Sequence, residues 1–112
     1  MGQNRDLSKF DSIDFEAARA RIEEVVRRTE LMPLDVGGAG MELRLKMENR
    51  QVAGAFKARG AWNNIQRLTP EQRKAGVVCT SSGNHGKALA WAAAKGGVSA
   101  TIVMPDDAYP NK

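Results

Sequence analysis

Residues 76–105 read GVVCTSSGNHGKALAWAAAKGGVSATIVMP, and the order of residue types in this stretch decides the fold. GVVCT is a short β-rich run and SSGNHG a polar loop with two glycines. KALAWAAAK is a strong helix former that Gly96 and Gly97 close, and SATIVMP is a second β-rich run. Strand, loop, helix and strand within about 30 residues make a βαβ unit, whose strands run parallel through a right-handed crossover. The fold class is therefore α/β.

Upstream, Asp14 is placed to cap a helix with Glu16 in its first turn. Ala18, Ile22, Val25 and Val26 recur at helical spacing through FEAARARIEEVVRRT, which predicts a helix ending near Thr29, before Pro33. LDVGGAG (34–40) reads as a flexible connection. MELRLKME (41–48) reads as a strand, because Leu43 and Leu45 alternate with charged residues. A helix is expected from close to Lys57 through Gln66. TPEQRKAG follows as a short polar helix with Thr69 capping and Pro70 as its first residue.

At 112 residues, 42% hydrophobic and 27% charged, the chain has the make-up of one modest globular domain. Its net charge of +4 comes from 17 basic residues spread from Arg5 to Lys112 among 13 acids. Without a basic run or a nucleic-acid motif, this reads as a solvated surface, and no nucleic-acid partner is expected. One cysteine, Cys79, suits a reducing compartment and reads as a buried strand residue. No segment has a signal-peptide core or membrane-spanning length, and MGQNRD lacks the Ser or Thr of a myristoylation signal. A cytoplasmic location is the expectation.

Chemistry concentrates in two places. In AGAFKARGAWNN (53–64), Lys57 is bracketed by Ala55, Phe56 and Ala58, groups that would strip water from its amine. Desolvation favours the neutral, nucleophilic form of a lysine. The loop TSSGNHG lies at the carboxyl end of a strand and at a helix N-terminus, where free N–H groups and the helix dipole favour an anion. Ser81, Ser82 and Asn84 could grip a carboxylate or phosphate, or could serve only to satisfy the turn's own backbone. His85 is the one histidine, with no second ligand at helical spacing, so no metal site is expected. The loop has neither P-loop nor dinucleotide glycine spacing.

GAFKARGA, TSSGNHGKALAWAA and TIVMPDDAYPNK together resemble the pyridoxal-phosphate enzymes of fold type II, the tryptophan-synthase β-like group, and within it the threonine/serine dehydratase and serine racemase family. The resemblance runs from about Phe15 to the last residue. It implies that Lys57 forms the Schiff base with pyridoxal 5′-phosphate, that Phe56 packs beside the cofactor ring, and that Asn84 bonds the ring's 3′-oxygen. Ser81, Ser82, Gly83, Asn84 and His85 match the loop that takes the substrate carboxylate. Ser82 also matches the acid/base that racemases of this group use on the face opposite the lysine. The implied catalytic residues are Lys57 and Ser82.

In the dehydratase reading, Lys57 removes the α-proton of a hydroxyamino acid such as threonine or serine, and the products are a 2-oxo acid and ammonia. Ala58 stands where relatives that catalyse β-replacement tend to carry Asp, which favours dehydratase or racemase. Ala53, Ala55 and Glu30 depart from the family's frequent Thr, Ser and Pro.

Family members also continue well past this length, and their cofactor-phosphate cup lies in that later region, as does the residue facing the pyridine nitrogen. The chain is accordingly expected to be an N-terminal portion: residues 1–52 belong to the large domain, and 53–112 begin the small cofactor- and substrate-binding domain. The full-length form is expected to be a homo-oligomer. A non-catalytic piece needing complementation or self-association, and a nucleotide-phosphate binder built on SSGNHG, are the competing readings from other classes. The 112-residue polypeptide alone is expected to show no cofactor–lysine absorbance above that of a Lys57→Ala control, and cofactor-dependent ammonia release by it would refute the truncated reading.

Overall fold

The computed structural model describes residues 8–35, 37–38 and 40–111. Residues 1–7, read above for targeting signals, lie outside them, as do Val36 and Ala39 of the expected flexible connection. In chain order the elements are α1 (Phe15–Ile22), β1 (Leu31–Leu34), β2 (Leu43–Lys46), α2 (Lys57–Gln66), α3 (Pro70–Ala75), β3 (Val77–Thr80), α4 (Asn84–Gly96) and β4 (Ala100–Val103). One-turn 3-10 helices lie at Ser8–Phe10, Glu48–Arg50 and Val52–Gly54.

Asp14 caps α1, its Oδ1 accepting the Ala17 N–H at 2.8 Å. The helix stops at Ile22, not near Thr29. The Val25 and Val26 N–H groups both turn back to the Ile22 carbonyl, at 3.0 and 2.9 Å. Gln51 then takes the next backbone groups. The Arg27 N–H donates to Gln51 Oε1 and Gln51 Nε2 donates to the Arg27 carbonyl, each at 2.8 Å. A buried side-chain amide, distant in sequence, thus outcompetes the local helical pattern.

β2 forms where the Leu43–Leu45 alternation placed a strand. Its partner was not expected: β1 pairs with it antiparallel, Leu31 opposite Lys46 and Leu34 opposite Leu43. Pro33 is tolerated because a two-stranded ribbon leaves one side of each strand without a ladder. Leu31, Leu34, Leu43 and Leu45 are all exposed.

The βαβ unit is as the sequence implied. β3 and β4 pair in parallel, Val77 opposite Ala100 through Thr80 opposite Val103, with α4 as the crossover. Cys79 is half-buried against the core rather than fully enclosed, because β3 has one covered face and Val78 on the other is open. Gly97 ends α4 in the left-handed region (φ 66°), which lets the Val98 N–H reach the Ala93 carbonyl at 2.9 Å. Thr69 caps α3 in a reciprocal box with Gln72, and Pro70 is its first residue.

The interior lies between α2 and α4. Ala61, Trp62 and Ile65 of α2 meet Ala88, Leu89, Ala92 and Ala93 of α4, with Val98 and the inner face of β3–β4 beneath. Alanines on both faces let the backbones approach closely, and Trp62 and Trp91 pack tilted with centroids 6.1 Å apart. The two helices run parallel. Gly54, just before α2, lies against Lys87 in the first turn of α4, whereas Ile65 near the end of α2 lies against Gly96 at the end of α4. Arg73 of α3 closes the far end, donating to the carbonyls of both Gly96 and Ile65 at 3.0 Å. A cation there complements the negative ends of both helices.

Ile65 is 1% exposed. Ile65→Ala is expected to lower stability by about 2–5 kcal/mol. Denaturant unfolding followed by the fluorescence of Trp62 and Trp91 measures the loss.

Candidate active site

The parallel α2–α4 pair sets two helix N-termini side by side at the carboxyl end of β3. Lys57 is the first residue of α2 and Asn84 the first of α4. Two positive helix ends at one edge favour a ligand that carries negative charge.

Ser81 organises the loop. Its N–H extends the parallel ladder to the Val103 carbonyl at 2.9 Å, and its Oγ accepts the N–H groups of Gly83 (3.2 Å) and Gly86 (3.0 Å). These bonds match the turn-satisfying alternative for Ser81; its hydroxyl proton is still available to donate. Gly86 is required by crowding. A Cβ there would lie 2.9 Å from both Ile102 Cγ2 and the Ser81 carbonyl oxygen. Ser82, Asn84 and His85 are exposed along the loop and first turn. Ser81, Ser82, Gly83 and Gly86 line a cavity of about 60 Å³ together with Lys87, Ile102 and Met104. Lys87 is a member that sequence reasoning missed. It enters only because α4 turns it back toward the loop and toward Gly54.

Lys57 corrects an expectation. Its flanking residues do not dry its amine, because Lys57 itself is exposed and Phe56 is 58% exposed. Ala55 and Ala58 are buried, so they are packing contacts that point inward while Phe56 and Lys57 point outward. The Lys57 Nζ sits 5.2 Å from the Phe56 ring centroid, a cation–π contact, and makes no ion pair among the described residues. An accessible primary amine beside an aromatic face, with no carboxylate holding it, fits condensation with an aldehyde. A hydroxyl- and amide-bearing loop at a neighbouring helix N-terminus fits a carboxylate. The donor set therefore suits pyridoxal phosphate and an amino acid at the level of chemistry.

The approach to Lys57 is unusual. Ala53 (φ 59°) and Gly54 (φ 74°) are consecutive left-handed residues, and for the alanine this costs about 1–2 kcal/mol. A polar network joins the segments on either side of this turn. Arg59 donates to both carboxylate oxygens of Glu48, Nη2 to Oε1 at 2.7 Å and Nε to Oε2 at 3.0 Å. The Thr29 hydroxyl donates to Glu48 Oε1 at 2.5 Å, Lys46 Nζ donates to the Thr29 carbonyl, and Arg59 also reaches the Arg27 carbonyl at 3.0 Å. Glu48 and Thr29 gave no sequence signal, since their partners are 11 and 19 residues away. A separate groove of about 650 Å³, lined by Arg19, Ile22, Glu23, Arg28, Lys46 and Arg59 among others, contains none of the loop residues and not Lys57.

The hydrogen bonds from Arg59 hold the Glu48 carboxyl at about 2, below its ordinary 4.5; burial opposes them, and Thr29 adds to the lowering. The folded protein therefore binds this proton more weakly than the unfolded chain. Its contribution to stability is complete above 4.5 and is lost as pH falls through about 2. In acid titrations of unfolding, Glu48→Gln is expected to lose stability at neutral pH and to show a flatter decline across that window.

Residues 22–112 match the profile of the family described as pyridoxal-phosphate dependent enzyme. The L-threonine ammonia-lyase of Thermotoga maritima is 48% identical over 94 residues, covering 82% of this chain and 23% of that protein. Among solved structures, maize serine racemase superposes with a TM-score of 0.75 at 48% identity, covering 80% of this chain and 29% of the racemase. A pyridoxal 5′-phosphate-dependent aspartate racemase superposes with a TM-score of 0.79 at 40% identity, covering 87% of this chain and 32% of its own. The chain spans about a quarter to a third of the length of the curated relatives it matches.

Proposed function

Because this chain belongs to the pyridoxal-phosphate dependent enzyme family, we propose that it supplies the cofactor lysine and the substrate loop of an ammonia-lyase acting on a hydroxyamino acid such as threonine or serine. The observation that carries this reading is the placement of Lys57 and the Ser81–His85 loop at adjacent helix N-termini. The 48% identity to an L-threonine ammonia-lyase supports the choice of reaction.

In this reading Lys57 holds the cofactor, with Phe56 beside its ring and Asn84 at its 3′-oxygen. When bound, pyridoxal phosphate withdraws electrons from the substrate's Cα. Ser81, Ser82, Asn84 and His85 hold the substrate carboxylate through hydroxyl and N–H groups, and Gly83, whose N–H is engaged by Ser81 Oγ, lets the backbone come close. That contact would set the Cα–H bond toward Lys57, whose Nζ, freed when the substrate's amino group takes its place on the cofactor, would take the proton and return it to the departing hydroxyl. The β-hydroxyl then departs as water, and hydrolysis releases a 2-oxo acid and ammonia. A base so placed contributes roughly 10²–10⁴-fold to the rate.

Racemisation is the second reading, favoured by the serine and aspartate racemases among the structural neighbours and by the exposed Ser82. There Ser82 returns a proton to Cα on the face opposite Lys57. The boundary near residue 52, a cytoplasmic setting and self-association of the full-length form belong to the same proposal; among the described residues no helix is long and apolar enough to cross a membrane.

L-Serine supplied to the full-length protein separates the reactions. Elimination gives pyruvate and ammonia, and racemisation gives D-serine. Lys57→Ala is expected to abolish either product, and Ser82→Ala to abolish D-serine with much less effect on pyruvate. Turnover of L-serine and L-threonine that survives Lys57→Ala would refute the assignment.

A further inference from the structure

α2 begins without the devices that usually orient a helix start. Phe56 at its cap makes no side-chain hydrogen bond, and its first turn holds no acidic residue. The chain also arrives through the two left-handed residues Ala53 and Gly54. Two features nevertheless fix the rotation of this first turn. Ala58 is fully buried, and Arg59 is pinned by two bonds to Glu48 and one to the Arg27 carbonyl.

Residues two apart on a helix are separated by about 200° around its axis. Lys57 and Arg59 therefore lie on nearly opposite sides, with Ala58 between them facing the core. Holding Arg59 on one side turns Lys57 to the other. We propose that Glu48 and Arg59 form a clamp that directs the Lys57 amine, and that both are positioning residues for chemistry at that amine; the inference rests on the reading of Lys57 as the cofactor lysine.

The clamp has the rigidity such a role needs. Glu48 lies in the 3-10 turn Glu48–Arg50, where the Gln51 N–H returns to the Glu48 carbonyl at 3.2 Å. Its carboxylate takes the Thr29 hydroxyl as well as Arg59, and Thr29 is buried and fixed in turn by Lys46. Arg59 engages the carboxylate through two different nitrogens, a planar fork that a lysine does not reproduce. The body of α2 does not depend on the clamp. Ala61, Trp62 and Ile65 anchor it to α4 further along. Loss of the clamp should therefore misdirect the first turn while the helix remains.

The test is covalent labelling of the full-length protein with pyridoxal phosphate, trapped by borohydride and quantified at each lysine by peptide mass mapping. Lys87, exposed and also near Gly54, is the internal reference. Arg59→Lys and Glu48→Gln are expected to lower the Lys57-to-Lys87 labelling ratio by on the order of 10–10²-fold while near-UV circular dichroism is retained. Thr29→Val, which removes one hydroxyl and keeps the side-chain shape, should shift the ratio the same way by less, and it serves where a charge change unfolds the protein. An unchanged ratio in folded variants overturns the clamp and leaves Lys57 as the cofactor lysine. No trapping at Lys57 in the unsubstituted protein overturns the assignment of Lys57 itself, and the clamp's role with it.

Discussion

Where Ile65 meets Gly96, a methyl group added to the glycine would sit 2.6 Å from Ile65 Cγ2. That tightness sets the distance between α2 and α4, and the site follows from it. Ala61, Ala88, Ala92 and Ala93 continue the same close seam toward the other end of the pair. Because the helices are parallel and nearly in register, their N-termini emerge together beside the carboxyl end of β3. Their C-termini emerge together under Arg73. The anion-favouring edge and the cation-capped edge are two consequences of one packing decision.

The parts of this arrangement that were legible in the sequence are those governed by local chemistry. The βαβ unit announced itself because short valine- and isoleucine-bearing runs flank an alanine-rich helix with glycines at its end. The Thr69–Pro70 start and the Asp14 cap were readable for the same reason: each is settled within four residues. The candidate loop was visible because its glycines and serines form a contiguous run. The fate of Ser81 was not, since its two accepted bonds depend on how α4 leaves the loop.

What could not be read was decided by partners distant in sequence. The α1 pattern continues through Val25 and Val26, yet the helix ends because Gln51, 24 residues away, claims the Arg27 backbone. β1 was hidden by Pro33, which argues against a strand unless the strand belongs to an isolated ribbon. The Glu48–Arg59–Thr29 network has the same character. Each member is unremarkable among neighbouring charges, and the network exists only once the segments around Thr29, Glu48 and Arg59 are folded together.

At Lys57 the apolar neighbours in the sequence do not do what their pattern first suggests. Alanines at 55 and 58 looked like insulation for the Lys57 amine, but both are buried, Ala55 as an extended residue before the helix and Ala58 on its inner face, while Lys57 is exposed. Insulation and direction are separable physical tasks. Dehydrating an amine requires apolar matter over its tip, and nothing in the first turn of α2 lies there except the half-open ring of Phe56. Directing it requires that the helix start cannot rotate, and here the burial of Ala58 and the three bonds of Arg59 supply that restraint. The Lys-x-Arg spacing thus sets an exposed lysine and a firmly held arginine about half a turn apart on one helix start.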